Sequence, residues 1–312
     1  MNSTSKKIRK LCSCIVICSY VFLVESVAHS ATACDEPSVS GYDSVGCLEQ
    51  GLSLVEKNGK YGFIDAKGNE IIPVQYDYAL SFLEGFARVE KNGKYGLIDT
   101  TGREIIPLQY EEVWDFSEGL ANVKQNGLWG FVNSTGDVVI PLQYEFARHF
   151  SDGLARVGKD ERTGYIDKTG KMVIPFQYDS IELFSDGLVG VEKNGMWGFL
   201  DTAGHEVIPL QFDSAGYFFE GLAPVAKNDK WGFIDKTGKN VIPSIYEHAY
   251  RFSEEQLAPV KMNGKWGFIN KEGQVTIPFQ YDSADSFRDG VAVVEKDGEY
   301  FQINKLGQPV EY

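Results

Sequence analysis

Several of the usual means of doing chemistry are scarce in this sequence. It has four histidines in 312 residues. His149, His205 and His248 fall at different places in the chain, none with a His or Cys at metal-ligand spacing. No Gly-x-Ser-x-Gly nucleophile turn occurs, and no glycine-rich loop runs from a strand into a helix to cradle phosphates. No cofactor and no metal are therefore expected. Positive charge is also short: 30 Lys and Arg stand against 44 Asp and Glu, for a net charge of −14. Such a surface repels nucleic acid, which is not expected as a partner. Long hydrophobic runs are missing apart from the 14 apolar-rich residues 11–24, too few for the ~20 that cross a bilayer.

That run has its own meaning. It follows Lys6, Lys7, Arg9 and Lys10 and precedes the small residues of Ala28-x-Ser30 and Ala31-x-Ala33, the layout of a cleavable export signal over residues 1–33. The expected location is periplasmic, secreted or cell-surface, with no stable membrane span after cleavage. Removing this segment takes away four basic residues and one acid and leaves a net charge of −17. It also takes Cys12, Cys14 and Cys18, leaving Cys34 and Cys47. Two lone cysteines outside the cytoplasm usually pair, so a disulfide clipping residues 34–49 is expected. Lipidation at Cys34 is the alternative, disfavoured because the apolar run ends ten residues upstream.

What the sequence has in abundance is repetition. "EKNGKYGFID" at 56–65 returns as "EKNGKYGLID" at 90–99, and the aromatic slot recurs as Tyr61, Tyr95, Trp129, Trp197, Trp231, Trp266 and Tyr300, with Thr163 in a decayed copy. The steps are 34 residues throughout, with a single step of 35 before Trp266, and eight units at so even a period define a tandem array over residues 50–312. The extra residue falls in "FSEEQLAPV", where other units read "FSEGLA" or "FSDGLA".

Each phrase has a mechanical meaning. Asn-Gly between two apolar-rich runs specifies a two-residue hairpin turn with positive φ at both positions. The fourth unit has Asp160-Glu161 instead, and a strained or longer turn is expected there. Asp in "D-x-x-G" opens the next turn. Asn133, Asn270 and Asn304 replace it in three units, so this slot selects turn geometry and not charge. In "KWGFID", Trp and Phe face one side of the strand and Gly and Ile the other; both faces are apolar and need neighbouring units to cover them. The Gly between the aromatics is read as a slot for an adjacent unit's side chain. Pro73 and its equivalents are expected at a strand end or on an edge.

With Trp-Gly or Tyr-Gly in six of eight units and an I-P-x-Q-Y tail, the chain resembles the bacterial WG-repeat, or KWG-repeat, family. That resemblance implies a tandem β array, often exported, and brings no catalytic residues. The fold class expected is all-β, with about eight hairpin or meander units of 34 residues. A propeller-like ring is favoured, and an open superhelix or solenoid is the alternative.

The acids occupy equivalent slots, so the pair of differing environments that acid–base catalysis requires is not visible. A non-enzyme is expected, with a hydrolase using off-pattern acids as a remote alternative. The informative positions are those that break the repeat: Trp114, Phe146, His149, Tyr217, Tyr250 and Arg251, all in the segment that varies while the frame persists. They form the candidate binding face. The expected role is an exported scaffold for a protein or cell-envelope partner, with a glycan- or peptidoglycan-binding module as the rival.

Overall fold

The computed structural model describes residues 34–310. The expected export signal lies outside them. The repeat array lies within one compact unit that begins at Glu36.

The first sheet shows the plan. β1 (Ser44–Glu49), β2 (Leu52–Lys57), β3 (Lys60–Asp65) and β4 (Glu70–Tyr76) pair in that order as an antiparallel meander. Among the described residues the plan is repeated to give seven four-stranded sheets and a final three-stranded one. The repeats begin earlier than residue 50. Tyr42-Asp43-Ser44-Val45 is a disguised copy of the Tyr-Asp-x-Ala phrase, with Val45 paired to Val55 as Ala79 is to Val89. Residues 44–49 thus belong to the first sheet. Cys47 lies within β1, and Cys34 and Cys47 are each disulfide-bonded.

β2 and β3 are joined by Asn58-Gly59, with φ of 52° and 71°, the two-residue turn that Asn-Gly dictates. The fourth sheet keeps the same turn length, with Lys159 opposite Arg162, by forcing Asp160 and Glu161 to φ of 52° and 60°. Asn228-Asp229 does likewise at 53° and 59°. The acid that follows the recurring Tyr caps this turn. The Asp77 carboxylate accepts the Asn92 N–H at 2.8 Å, Asp179 that of Asn194 at 2.7 Å, and Glu111 those of Asn126 and Gly127 at 2.9 and 3.0 Å. The Asp of "D-x-x-G" closes the next turn: Asp65 Oδ1 accepts the N–H groups of Lys67 and Asn69, both at 2.8 Å. Asn133 does the same for Thr135 and Asp137 at 3.0 and 2.9 Å.

The Gly of Trp-Gly has a different task from the one its sequence context implies. β4 is an edge strand that bulges at Pro73, so that Tyr61 pairs with Tyr76 while Phe63 pairs with Ile72. The bulge lays backbone over Gly62: a Cβ there would sit 2.7 Å from Ile72 O and Val74 N. Gly232 is under the same constraint, at 2.5 Å from Ile242 O. The glycine admits the fourth strand of its own sheet, and not a neighbour's side chain.

Neighbouring sheets are locked by a repeated aromatic contact. Phe63 of the first sheet meets Phe82 of the second at 4.8 Å between centroids, and Phe131–Phe150, Phe199–Phe218, Phe233–Phe252 and Phe268–Phe287 repeat it at 4.8–4.9 Å. Each pair couples the "GF" of one unit to the "F-x-E-G" of the next, inside apolar clusters that join sheets in chain order. The second sheet has Leu97 at the Phe position, and Phe86 from its second strand supplies the ring instead, 4.8 Å from Phe116. Polar links run in parallel: Glu118 accepts the Gly153 N–H at 3.0 Å, Asp186 that of Gly221 at 2.7 Å, and Glu255 that of Gly290 at 2.8 Å.

The two ends differ from the middle. Gly102 packs on Ile72 of the preceding sheet, whereas Gly68 of the first sheet packs on Val39, so the N-terminal segment stands in for a preceding repeat. At the other end Gln302 occupies the Phe position, and Tyr300 is 69% exposed where Trp129 and Trp266 are buried. Among the described residues the hydrophobic clusters link consecutive sheets, and none links the eighth to the first.

Candidate interaction surface

The frame aromatics other than Tyr300 are spent on packing. Trp129 and Trp266 are buried; Tyr61, Tyr95, Trp197 and Trp231 are half-buried. Of the candidate face, Trp114 and Phe146 are also largely packing residues. Trp114 lies edge-on to Trp129 at 5.4 Å beside the same apolar cluster. Phe146 covers Gly158, where a Cβ would overlap its ring at 2.0 Å; the large residue on one strand is accommodated by the missing side chain opposite.

His149, Tyr217, Tyr250 and Arg251 are exposed. All four lie just past the short first strand of their sheets, in the connection to the second strand. This connection also holds contacts between units. Tyr217 donates from its hydroxyl to Glu182 Oε2 of the preceding sheet at 2.7 Å, and that hydrogen bond raises the phenol's pKa, with burial adding to it. Tyr165 donates to the Glu182 carbonyl at 3.0 Å, and burial pushes its pKa up to about 12. The Arg148 guanidinium lies 6.0 Å from the Trp114 ring, and that of Arg251 only 4.8 Å from Phe219. Contacts at this connection thus join the third sheet to the fourth, the fourth to the fifth, the fifth to the sixth and the sixth to the seventh.

The densest group of these contacts is aromatic. His248 stacks on Trp231 at 5.0 Å and 26°, lies 5.5 Å from Trp266, and is 5.0 Å from Tyr250. Tyr250 in turn lies flat on Trp266, 5.1 Å between centroids and 6° between planes, while remaining 45% exposed. His248 Nδ1 is buried without a hydrogen-bond partner. Burial, aided by Lys261, lowers its pKa below the ordinary 6.5. Sequence reasoning passed over His248 because the first-strand position it fills is Tyr, Glu, Phe or Ser in other sheets and carries no motif. The signal available was its spacing: it stands two residues before Tyr250 and 17 after Trp231.

The carboxylates in repeat slots are engaged by backbone N–H groups, which holds Asp65 and Glu111 below the usual carboxylate range; for Asp65 the Asn69 side chain contributes most, and for Glu111 the Gly127 N–H. Among these residues no helix is long and apolar enough to cross a membrane.

A meander of three or four antiparallel strands, repeated eight times with turn and packing residues in phase, defines a tandem β-repeat protein. The chain belongs to the WG-containing-repeat family, whose pattern matches eight consecutive segments: 41–61, 61–95, 95–129, 129–162, 164–197, 197–231, 231–266 and 266–300. No curated protein matches the sequence. Among solved structures the chain is similar to a eukaryotic initiation factor, with 9% identity and a TM-score of 0.44, over 88% of this chain and 89% of that one. It is also similar to the extracellular domain of the putative one-component system BT4673 of B. thetaiotaomicron, with 9% identity and a TM-score of 0.33, over 88% of this chain and 55% of that one. Hsv2 of Kluyveromyces lactis is a third, with 8% identity and a TM-score of 0.34, over 84% of this chain and 95% of that one. Likenesses of this strength assign no function.

Proposed function

We propose that this protein is an exported, non-catalytic repeat scaffold. On this reading it presents the connections between its first and second strands to a protein or cell-envelope partner. One observation carries the proposal: most frame side chains are consumed in turns and inter-sheet packing, while His149, Tyr217, Tyr250 and Arg251, which break the repeat, are exposed at the equivalent connection of their sheets. Photo-crosslinking tests it. A crosslinking residue at position 149 or 250 is expected to capture a partner in intact cells, and one in the Lys67 turn is not. Equal capture from both places, or none from either, overturns the reading.

One feature favours a glycan as the partner. Tyr250 presents an exposed ring whose orientation is fixed by the parallel Trp266 beneath it, the kind of flat surface on which a sugar stacks. Retention of the mature protein on purified envelope glycan, lost in Tyr250→Ala, is the expected outcome for this reading. No retention removes it.

A further inference from the structure

Departures from the repeat converge on one cleft. Its volume is about 320 Å³, and its lining includes Phe219, Arg251, Glu255, Ser286, Arg288 and Asp289, from three successive sheets. Phe219 and Arg288 occupy the slot that is Ser117, Ser151, Ser185 and Ser253 in four other units and Leu83 in a fifth. Arg251 stands where other units have Ser81, Asp115, His149, Leu183, Tyr217 and Ser286. The one extra residue in the array lies here too. It turns the usual two-residue connection into Glu254-Glu255-Gln256, closed by the Ser253 N–H donating to Leu257 O at 3.0 Å and by Gln256 at φ 61°.

The charges in this cleft are unfinished. Arg251 is held over the Phe219 ring, yet neither it nor Arg288 has a carboxylate partner among the described residues, in a chain with 44 acids. Guanidinium groups present several donors at fixed angles and match carboxylates well. On the acidic side, Glu255 Oε1 takes the Gly290 N–H, and Ser253 and Lys305 also act on this carboxylate, favouring its charged form. The Gly290 hydrogen bond keeps this carboxyl below its usual pKa, so it is anionic at neutral pH. With Glu254 and Asp289 also lining the cleft, it presents charges of both signs. That mixture disfavours a purely anionic ligand such as phosphate, and favours one carrying both signs.

We infer that this cleft binds a zwitterionic ligand of free amino-acid or short-peptide size, its carboxylate received by Arg251 and Arg288 and its ammonium by Glu255. The inference deepens the proposed interaction face at Arg251, and rests on that face being a binding surface.

A four-member probe set tests it on the full mature chain: trialanine, N-acetyl-trialanine, trialanine amide and the doubly capped peptide, titrated by calorimetry and by chemical-shift perturbation. Trialanine is expected to bind. Each single cap is expected to weaken binding about tenfold, the scale of one charge-assisted hydrogen bond. Arg288→Gln is expected to erase the difference between trialanine and its amide, and Glu255→Gln the difference between trialanine and its N-acetyl form. Thermal unfolding and circular dichroism of each variant establish that it is folded. No binding of trialanine, equal binding of all four probes, or discrimination unchanged in both variants overturns the inference. Partner crosslinking from position 149, remote from the cleft in sequence, reports on the wider face, so failure of the one is distinguishable from failure of the other.

Discussion

Tyr250 lies flat on Trp266, their rings 5.1 Å apart and 6° from parallel. A half-exposed tyrosine thus covers an indole that is only 8% exposed. Tyr250→Ala is expected to uncover Trp266, red-shift the emission and raise its quenching by iodide. The stability cost should be modest, about 1 kcal/mol, the scale of one aromatic pair. Unchanged emission and quenching would show that the stack does not persist in solution.

Phe86 and Leu97 exchange the roles that Leu and Phe play in other sheets. Phe86→Leu alone removes a ring pair with Phe116 and should cost about 1–2 kcal/mol. Leu97→Phe alone adds a ring to a filled core and should cost about 1–3 kcal/mol. The double variant restores the arrangement of Phe131 and Phe150 and is expected to be more stable than either single one. Chemical denaturation of all four proteins measures the coupling.

Gly232 and Gly46 should respond differently to the same substitution. A Cβ on Gly232 would lie 2.5 Å from Ile242 O, whereas one on Gly46 meets nothing closer than 3.4 Å. Gly232→Ala is expected to cost about 2–3 kcal/mol, and Gly46→Ala under about 1 kcal/mol. Equal costs in a denaturation series would refute the close approach of the fourth strand.

Glu161 holds φ at 60°, a conformation that suits glycine. Glu161→Gly is expected to stabilise the fold by roughly 1 kcal/mol and raise the unfolding temperature by roughly 2 °C. A fall in that temperature would mean that Glu161 contributes something beyond its backbone geometry.

His248 gives a pH dependence of definite sign. Its pKa is lowered in the folded protein by burial and, next, by Lys261. Its unfolded state therefore binds a proton more readily, so its contribution is complete above about pH 6.5 and is lost as pH falls below that value. The turn-capping acids behave in the same sense at lower pH. Asp77, lowered chiefly by Lys60, and Asp65, lowered chiefly by Asn69, lose their contribution as pH drops below the ordinary carboxylate value of 3.8. Melting temperature is expected to decline in two stages, and His248→Asn should flatten the upper stage only. An unchanged profile in that variant would assign the upper stage elsewhere.

Much of this structure is local, and the sequence alone determined it. Asn-Gly, Asp-x-x-Gly and the 34-residue beat specify turns and strands through backbone preferences that depend on near neighbours only, so eight similar units could be counted by eye. Tertiary structure decided whatever depends on a second strand or a second sheet. The Gly of Trp-Gly is explained by a bulge in the fourth strand, ten residues away. Phe86 does the work of the absent ring at Leu97 only because both project toward the same neighbouring sheet. Tyr42-Asp43 counts as a repeat start because Asp43 caps the Asn58 turn at 2.6 Å, although the phrase around it has drifted. Trp114 and Phe146 looked like surface aromatics and proved to be packed, the one on Trp129 and the other over Gly158. His248 became visible only when the indoles on either side of it came together. Packing forces join residues that sequence spacing keeps apart, and that is why the frame was legible in one dimension while the contacts between sheets were not.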